Sequence, residues 1–304
     1  MAVTRRLILA AARSSGLRRR IETLPVSRSV VARFVGGTTT ADVVRSVQLL
    51  ATQGLLATID FLGEDVTDDA GADLTRDAYL DLIAALRAAR VEKVDLSLKL
   101  TALGLLVNEE RCRTRCRRIV AAADEAGMTV TLDMEGSDLT DVTLRFGVTL
   151  RETHPATATV IQAMLTRTDD DAGTLSATTA RVRLCKGAYH EPATITYGDR
   201  RDVTSAYVRA LETLWRGAGT PLVATHDPEI ISRTEALAAA QPRHFEFQML
   251  YGVRPDEQAR LVAAGHVVRV YVPFGDQWYG YLMRRMAEKP ANLRLFLRAL
   301  VSRS

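Results

Sequence analysis

Cysteine is scarce in this chain: 304 residues include three, Cys112, Cys116 and Cys185. So few thiols exclude the disulfide framework of a secreted scaffold. Cys112 and Cys116 stand one helical turn apart among arginines, with no histidine near them in sequence to complete a zinc site. Nearby guanidinium groups favour a thiolate, yet an incidental, reduced pair in a reducing cytosol is the expected state. The histidines (His154, His190, His226, His244 and His266) are scattered, and none joins a carboxylate at ligand spacing, so no metal centre is expected. Long apolar runs are missing too, and no segment reaches the roughly twenty residues that span a bilayer. The N-terminus, "MAVTRRLILAAARSSGLRRR", carries an Arg5–Arg6 pair, but its apolar run, Leu7 to Ala12, is short for an export signal and is soon followed by Arg18, Arg19 and Arg20. Residues 1–36 read as a basic helical extension, ahead of one domain over residues 37–304.

Charge of one sign is also in short supply. The net charge is +4, and it arises from arginine-dense patches such as "LRRRIE" from Leu17 and "RCRTRCRR" from Arg111. These read as solvated helix faces rather than nucleic-acid contacts. No strand feeds a G-x-G-x-x-G turn, which removes the phosphate loop that a dinucleotide-binding doubly wound sheet needs.

What is present is repetition. Apolar runs begin at Leu55, Lys93, Met128, Ala158, Val182, Pro221, His244 and His266. Helix-like stretches such as Arg76–Arg90, Glu109–Ala126, Ser205–Ala218 and Pro228–Ala240 separate them. Eight strand–helix alternations predict an α/β fold, a (βα)8 TIM-type barrel. Polar residues stand at or near every strand end: Asp60 and Glu64, Lys99, Asp133 with Glu135, Gln162, Arg183 and Lys186, Thr225 with His226, Gln248, and Tyr271. A purely structural core would not choose them, since desolvating each one costs several kcal/mol unless it is partnered. In a barrel they converge on the C-terminal mouth, where active sites form.

That mouth is rich in cations. A helix over residues 276–287 would set Arg284 and Arg285 on one face with Tyr281, above an apolar side of Leu282, Met283 and Met286. The ligands should be anionic, a phosphate-bearing cofactor together with a small carboxylate. A rival barrel chemistry is a class I aldolase, with Lys99 or Lys186 forming a Schiff base. The loops "LYGVRPDE" and "PFGDQW" each have one glycine, whereas phosphate-binding barrels use glycine-rich turns there.

Four motifs resemble those of the proline dehydrogenase family: "ATIDFLGE" (Ala57 to Glu64), "LDMEG" (Leu132 to Gly136), "RLCKGAY" (Arg183 to Tyr189) and "YVPFGDQWYGYLMRRMAEKPAN" (Tyr271 to Asn292). The resemblance extends from about Phe34 onward, in the right order. It implies a (βα)8 barrel that binds FAD without a covalent link and oxidises L-proline to Δ1-pyrroline-5-carboxylate; N-terminal helices, outside the resemblance, and a C-terminal helix packed outside complete the expected fold. The stretch holds no aldehyde dehydrogenase half and so resembles the monofunctional enzymes, with a separate pyrroline-5-carboxylate dehydrogenase as a partner.

By the same resemblance, Lys99, Arg284 and Arg285 grip the proline carboxylate, while Leu250, Tyr271 and Tyr281 wall the ring and Tyr281 disfavours hydroxyproline. Arg183 approaches flavin N5, and Asp133 is the catalytic aspartate that orders Lys99 and Tyr271. Lys186, Gly187 and Ala188 form a cofactor loop, and Met134, Gln162, Thr225, His226 and Gln248 supply further cofactor contacts. Glu64 pairs with Arg284 as a gate in the absence of substrate. Cys185 and His190 depart from the commonest pattern, and no residue is an obvious general base. The implied electron acceptor is a quinone, reached from the cytoplasm, with the N-terminal arginines making peripheral contact at the inner face of the membrane.

Overall fold

Each of the eight apolar runs is a strand. The strands are β1 (Leu56–Phe61), β2 (Asp95–Leu98), β3 (Thr129–Leu132), β4 (Ala158–Gln162), β5 (Arg181–Cys185), β6 (Thr220–Ala224), β7 (Glu246–Leu250) and β8 (Val268–Phe274). In this computed structural model, which describes residues 33–63 and 66–282, they pair in parallel and in chain order. β1 closes the barrel against β8, Thr58 opposite Tyr271 and Asp60 opposite Pro273. The N-terminal extension before Arg33, Glu64, Arg284 and Arg285 lie outside the described residues.

A helix, α1 (Thr40–Thr52), precedes β1, and one helix follows each of the first seven strands: α2 (Asp69–Ala88), α3 (Glu109–Glu125), α4 (Thr140–Arg151), α5 (Thr168–Ser176), α6 (Arg200–Arg216), α7 (Pro228–Ala240) and α8 (Pro255–Ala263). Residues 278–282 after β8 are again helical, which agrees with the start of the expected final helix. Local chemistry fixes the starts. Thr39 and Asp42 exchange bonds in a capping box at α1, and Asp68, Asn108 and Asp199 each accept a first-turn N–H of α2, α3 and α6. Asp227 caps α7, whose first residue is Pro228.

The apolar core lies between the strands and the helices. Ile59, Leu96, Leu98, Leu132, Phe247, Val270 and Val272 project outward and are fully buried under helix residues such as Val43, Leu82, Ile119, Tyr207 and Ile230. Two helix tyrosines tie this layer to the strand ends. The Tyr79 hydroxyl donates to the Ser97 carbonyl at 2.5 Å and accepts from the Phe61 N–H at 3.1 Å, while Tyr207 donates to the Leu184 carbonyl at 2.8 Å. The inside of the barrel is different: beside a few aliphatic residues such as Val160 and Leu222 it holds Thr58, Asp60, Asp95, Ser97, Thr131, Arg183, Glu246, Gln248 and Arg269, all buried. Alternation of side chains along each strand delivers both faces at once.

The α3 patch is a helix–helix seam rather than a free basic surface. Arg111 bonds Asp69, Arg113 bonds Glu109, and the buried Arg115 reaches Asp69 and Asp73 on α2 at 2.7 and 2.8 Å. Cys112 and Cys116 are free thiols buried beneath it. The Cys112 side chain and burial both push the Cys116 thiol well up, which keeps it protonated and unreactive. Among the described residues, no helix is long and apolar enough to cross a membrane.

Candidate active site

Inward positions of β2, β3, β5, β7 and β8 meet at the C-terminal end of the barrel. At their centre is Asp133, just past β3. Its Oδ1 accepts from Ser97 Oγ at 2.5 Å and from Arg183 Nη1 at 2.7 Å, and its Oδ2 accepts from the Tyr271 hydroxyl at 2.6 Å. Lys99 Nζ lies 3.9 Å from the same Oδ2 and donates to Asp60 on β1. One carboxylate thus orders a cation from β5, a phenol from β8 and an ammonium from β2. Tyr271 is kept neutral, because burial and the Asp133 charge both push its pKa well up.

Arg183 has little freedom. Its Nε donates to Gln248 Oε1 at 2.5 Å, its Nη1 also reaches Ser97 Oγ at 3.0 Å, and its Nη2 lies 3.4 Å from Asp95. Its guanidinium carbon stands 5.4 Å from the centre of the Tyr271 ring. Burial alone would lower its pKa, but Asp133 and Asp95 outweigh it and hold the cation charged. Below, Gln248 donates to Glu246 at 2.6 Å, and Glu246 takes the Arg269 fork at 2.8 and 3.1 Å. Polar contacts therefore run unbroken from the floor of the barrel to its mouth.

A second group of residues forms the rim over β4, β5 and β6. Gln162 donates to the Glu135 carbonyl at 2.9 Å, and Glu135 accepts from the Thr101 N–H and hydroxyl. Burial raises the Glu135 pKa. Met134 is buried beside them. Lys186 bonds Thr204 at 2.8 Å and Asp227 at 2.7 Å, with Arg200 3.6 Å from the same carboxylate. Thr225 accepts from the Asp227 N–H, and His226 Nε2 accepts from the Leu250 N–H at 2.8 Å, which places the proton of the neutral ring on Nδ1. Gly187 has φ +95°, open to glycine and costly for a side chain, and Ala188 is exposed.

The structure thus brings Lys99, Asp133, Arg183, Gln248 and Tyr271 into one network, with Leu250 next to it and Tyr281 buried on the last described turn. Gln248 and Tyr271 lie inside their strands rather than at the ends, so they sit deeper than expected. Ser97, Asp95 and Glu246 were missed by sequence reasoning, and Asp60 was seen without a partner. A signal existed: Asp95–Ser97–Lys99, Arg181–Arg183, Glu246–Gln248 and Arg269–Tyr271 are polar residues two apart, on the face that turns inward.

The sequence model of the family described as "Proline dehydrogenase" matches residues 43–297. Proline dehydrogenase 1 of Bacillus subtilis (strain 168) is 36% identical over 274 residues, covering 89% of this chain and 90% of that protein. The proline dehydrogenase of Deinococcus radiodurans is 37% identical, with 90% of each chain covered. The chain belongs to the proline dehydrogenase family. Among solved structures, the proline dehydrogenase family member is similar in fold to proline utilization A of Bdellovibrio bacteriovorus inactivated by N-propargylglycine, with TM-score 0.79 at 23% identity, over 91% of this chain and 34% of that one. Proline utilization A of Bradyrhizobium japonicum gives TM-score 0.72 at 21% identity, over 90% and 32% of the two chains. Within the family match lie Lys99, Asp133, Arg183 and Tyr271, the residues that the barrel draws together.

Proposed function

We propose that the protein oxidises L-proline to Δ1-pyrroline-5-carboxylate at the mouth of its barrel, with FAD as cofactor. The observation that carries this reading is the linked, largely covered cluster of Lys99, Asp133, Arg183 and Tyr271 in a chain of this family. The rim residues fit a flavin dinucleotide. Gly187 takes a conformation that a side chain would strain, with Met164 packed where that side chain would stand. Lys186 and Arg200 share the single carboxylate of Asp227, so one positive charge is left over for a diphosphate. A groove of about 780 Å³ opens alongside, its charged lining formed by Arg200, Arg201, Arg209 and Arg233 with Asp199, Asp227 and Glu229. Met134, Gln162, Lys186, Gly187, Ala188, Thr225 and His226 would hold the cofactor, and Arg183 would face its ring.

FAD, when bound, supplies a flavin ring that accepts hydride from the substrate carbon next to nitrogen. This chain's residues bind and orient. Lys99 takes the proline carboxylate together with Arg284 and Arg285; both arginines lie outside the described residues, and their role rests on the sequence motif. Asp133 keeps Lys99, Arg183 and Tyr271 aligned, so the small ring meets fixed cations and a fixed phenol. Leu250 and Tyr281 complete the wall, and Tyr281 leaves little room for a ring hydroxyl. The substrate nitrogen gives its proton to water. By the sequence motif alone, Glu64, which also lies outside the described residues, would pair with Arg284 as a gate until proline arrives. Quinone is the final acceptor, met at the inner face of the membrane by way of residues 1–36, and a separate dehydrogenase consumes the product.

A Schiff-base reading is disfavoured by ion pairing. Lys99 is bonded to Asp60 and Lys186 to Asp227, so each amine would have to leave its carboxylate before it could attack a carbonyl. An anaerobic visible spectrum tests the proposal. The purified protein should be yellow, bleach on titration with L-proline and regain colour with a soluble quinone. Colourless preparations that do not take up FAD would overturn it.

A further inference from the structure

The loop after β5 carries Lys186, Gly187 and Ala188, and it needs an anchor on its far side. Met164 N–H bonds the Lys186 carbonyl at 2.9 Å, so the loop is fixed where it leaves the strand. It then arches through Ala188, Tyr189 and His190, all exposed. Glu191 follows immediately. Its Oε1 accepts from the Ser137 N–H at 2.8 Å and its Oε2 accepts from Ser137 Oγ at 2.5 Å, across 54 residues of sequence.

Ser137 opens the short 3-10 turn Ser137–Leu139 that leads into α4. Neither the turn, which begins after Gly136, nor α4, which begins after Leu139, has a side-chain cap of its own. Glu191 supplies that cap from another loop, and its negative charge suits a helix start. The same turn follows Asp133, Met134 and Glu135, and Gln162 holds it from the barrel side through the Glu135 carbonyl. The loops after β3 and β5 are thus joined over β4.

We propose that Glu191 is a positioning residue: by capping Ser137 it fixes the β5 loop against the β3 loop and sets the shape of the cofactor's cradle. The proposal rests on the flavin site argued above. Glu191→Ala removes both bonds, whereas Glu191→Gln keeps both, its carbonyl accepting from the Ser137 N–H and its amide donating to the Ser137 hydroxyl. Two such bonds, one from a hydroxyl to a charged group, correspond to a loss of about tenfold in FAD affinity for Glu191→Ala, with Glu191→Gln within about twofold of wild type.

Two measurements decide. FAD affinity is read by fluorescence quenching on flavin-free protein, and amide hydrogen exchange at Ser137 and residues 186–191 is followed in the same flavin-free protein. Glu191→Ala should speed exchange at both loops and weaken FAD. Ser137→Ala, which keeps the backbone bond, should lie between, and covers the case in which Glu191→Ala fails to fold. Unchanged exchange and unchanged FAD affinity in both alanine variants would overturn the proposal. A wild-type protein that does not bind FAD would instead overturn the proposed function, and the exchange data would still decide whether the clamp exists.

Discussion

Gln248 stands between a carboxylate that can only accept and a guanidinium that can only donate. Glu246 must therefore take its amide N–H, and Arg183 Nε must meet its carbonyl, so the amide has one orientation. A neutral side chain in this way passes the position of a floor carboxylate up to the cation at the mouth. Leucine at 248 would nearly keep the volume but leave a buried N–H of Arg183 unmatched and take one of two donors from Glu246 Oε1, which keeps Arg269. Gln248→Leu is expected to cost about 1–3 kcal/mol of stability. Proline turnover should fall with it, since the Arg183 guanidinium is then free to tilt. Denaturant unfolding and steady-state assays on the folded variant check both. A stability equal to wild type would mean that Gln248 is a spacer rather than a link.

Between elements, similar arginines do different work. Arg115 is buried on α3 and ties it to α2 through Asp69 and Asp73 and to the Leu103 carbonyl, whereas Arg111 on the same helix is mostly exposed. Arg115→Met should lower the melting temperature by several degrees, and Arg111→Met should change it little, because exposed pairs contribute little. Equal shifts for the two would contradict the seam. The elements themselves were largely legible in the sequence. Apolar runs of four to seven residues mark the strands, and Pro228 marks the start of α7. The apolar pattern begins after the true starts of α2 and α6, because Gly71, Thr75 and the charged first turn of α6 lack an apolar period, while the caps Asp68 and Asp199 decide the boundary. Site residues with recognisable motifs could be read, and polar alternation pointed to the rest of the barrel lining. The Glu191–Ser137 bond could not be read, since nothing local pairs positions 54 apart.

Across the whole molecule, the barrel interior behaves as one balanced charge system. Among the described residues, Asp60, Asp95, Asp133 and Glu246 face Lys99, Arg181, Arg183 and Arg269, four of each sign linked by ion pairs. Asp95 is its deepest member, accepting from Thr58, Thr129 and Thr131 and lying near Arg181 and Arg183. Burial raises its pKa, but Arg181, Arg269 and Arg183 outweigh this and hold it at about 2, below the ordinary 3.8. A folded-state pKa below the unfolded one means that the ionised carboxylate stabilises the fold above the unfolded value, and that this stability is lost as pH falls toward the folded one. The shift corresponds to roughly 2–3 kcal/mol. Asp95→Asn should therefore be less stable than wild type by an amount that is constant from neutral pH down to about 4 and shrinks between about pH 4 and 2. Unfolding free energies of the two proteins across that range make the test. A gap that stays undiminished at the acid end would mean that hydrogen-bond geometry, rather than the charge on Asp95, holds the interior together.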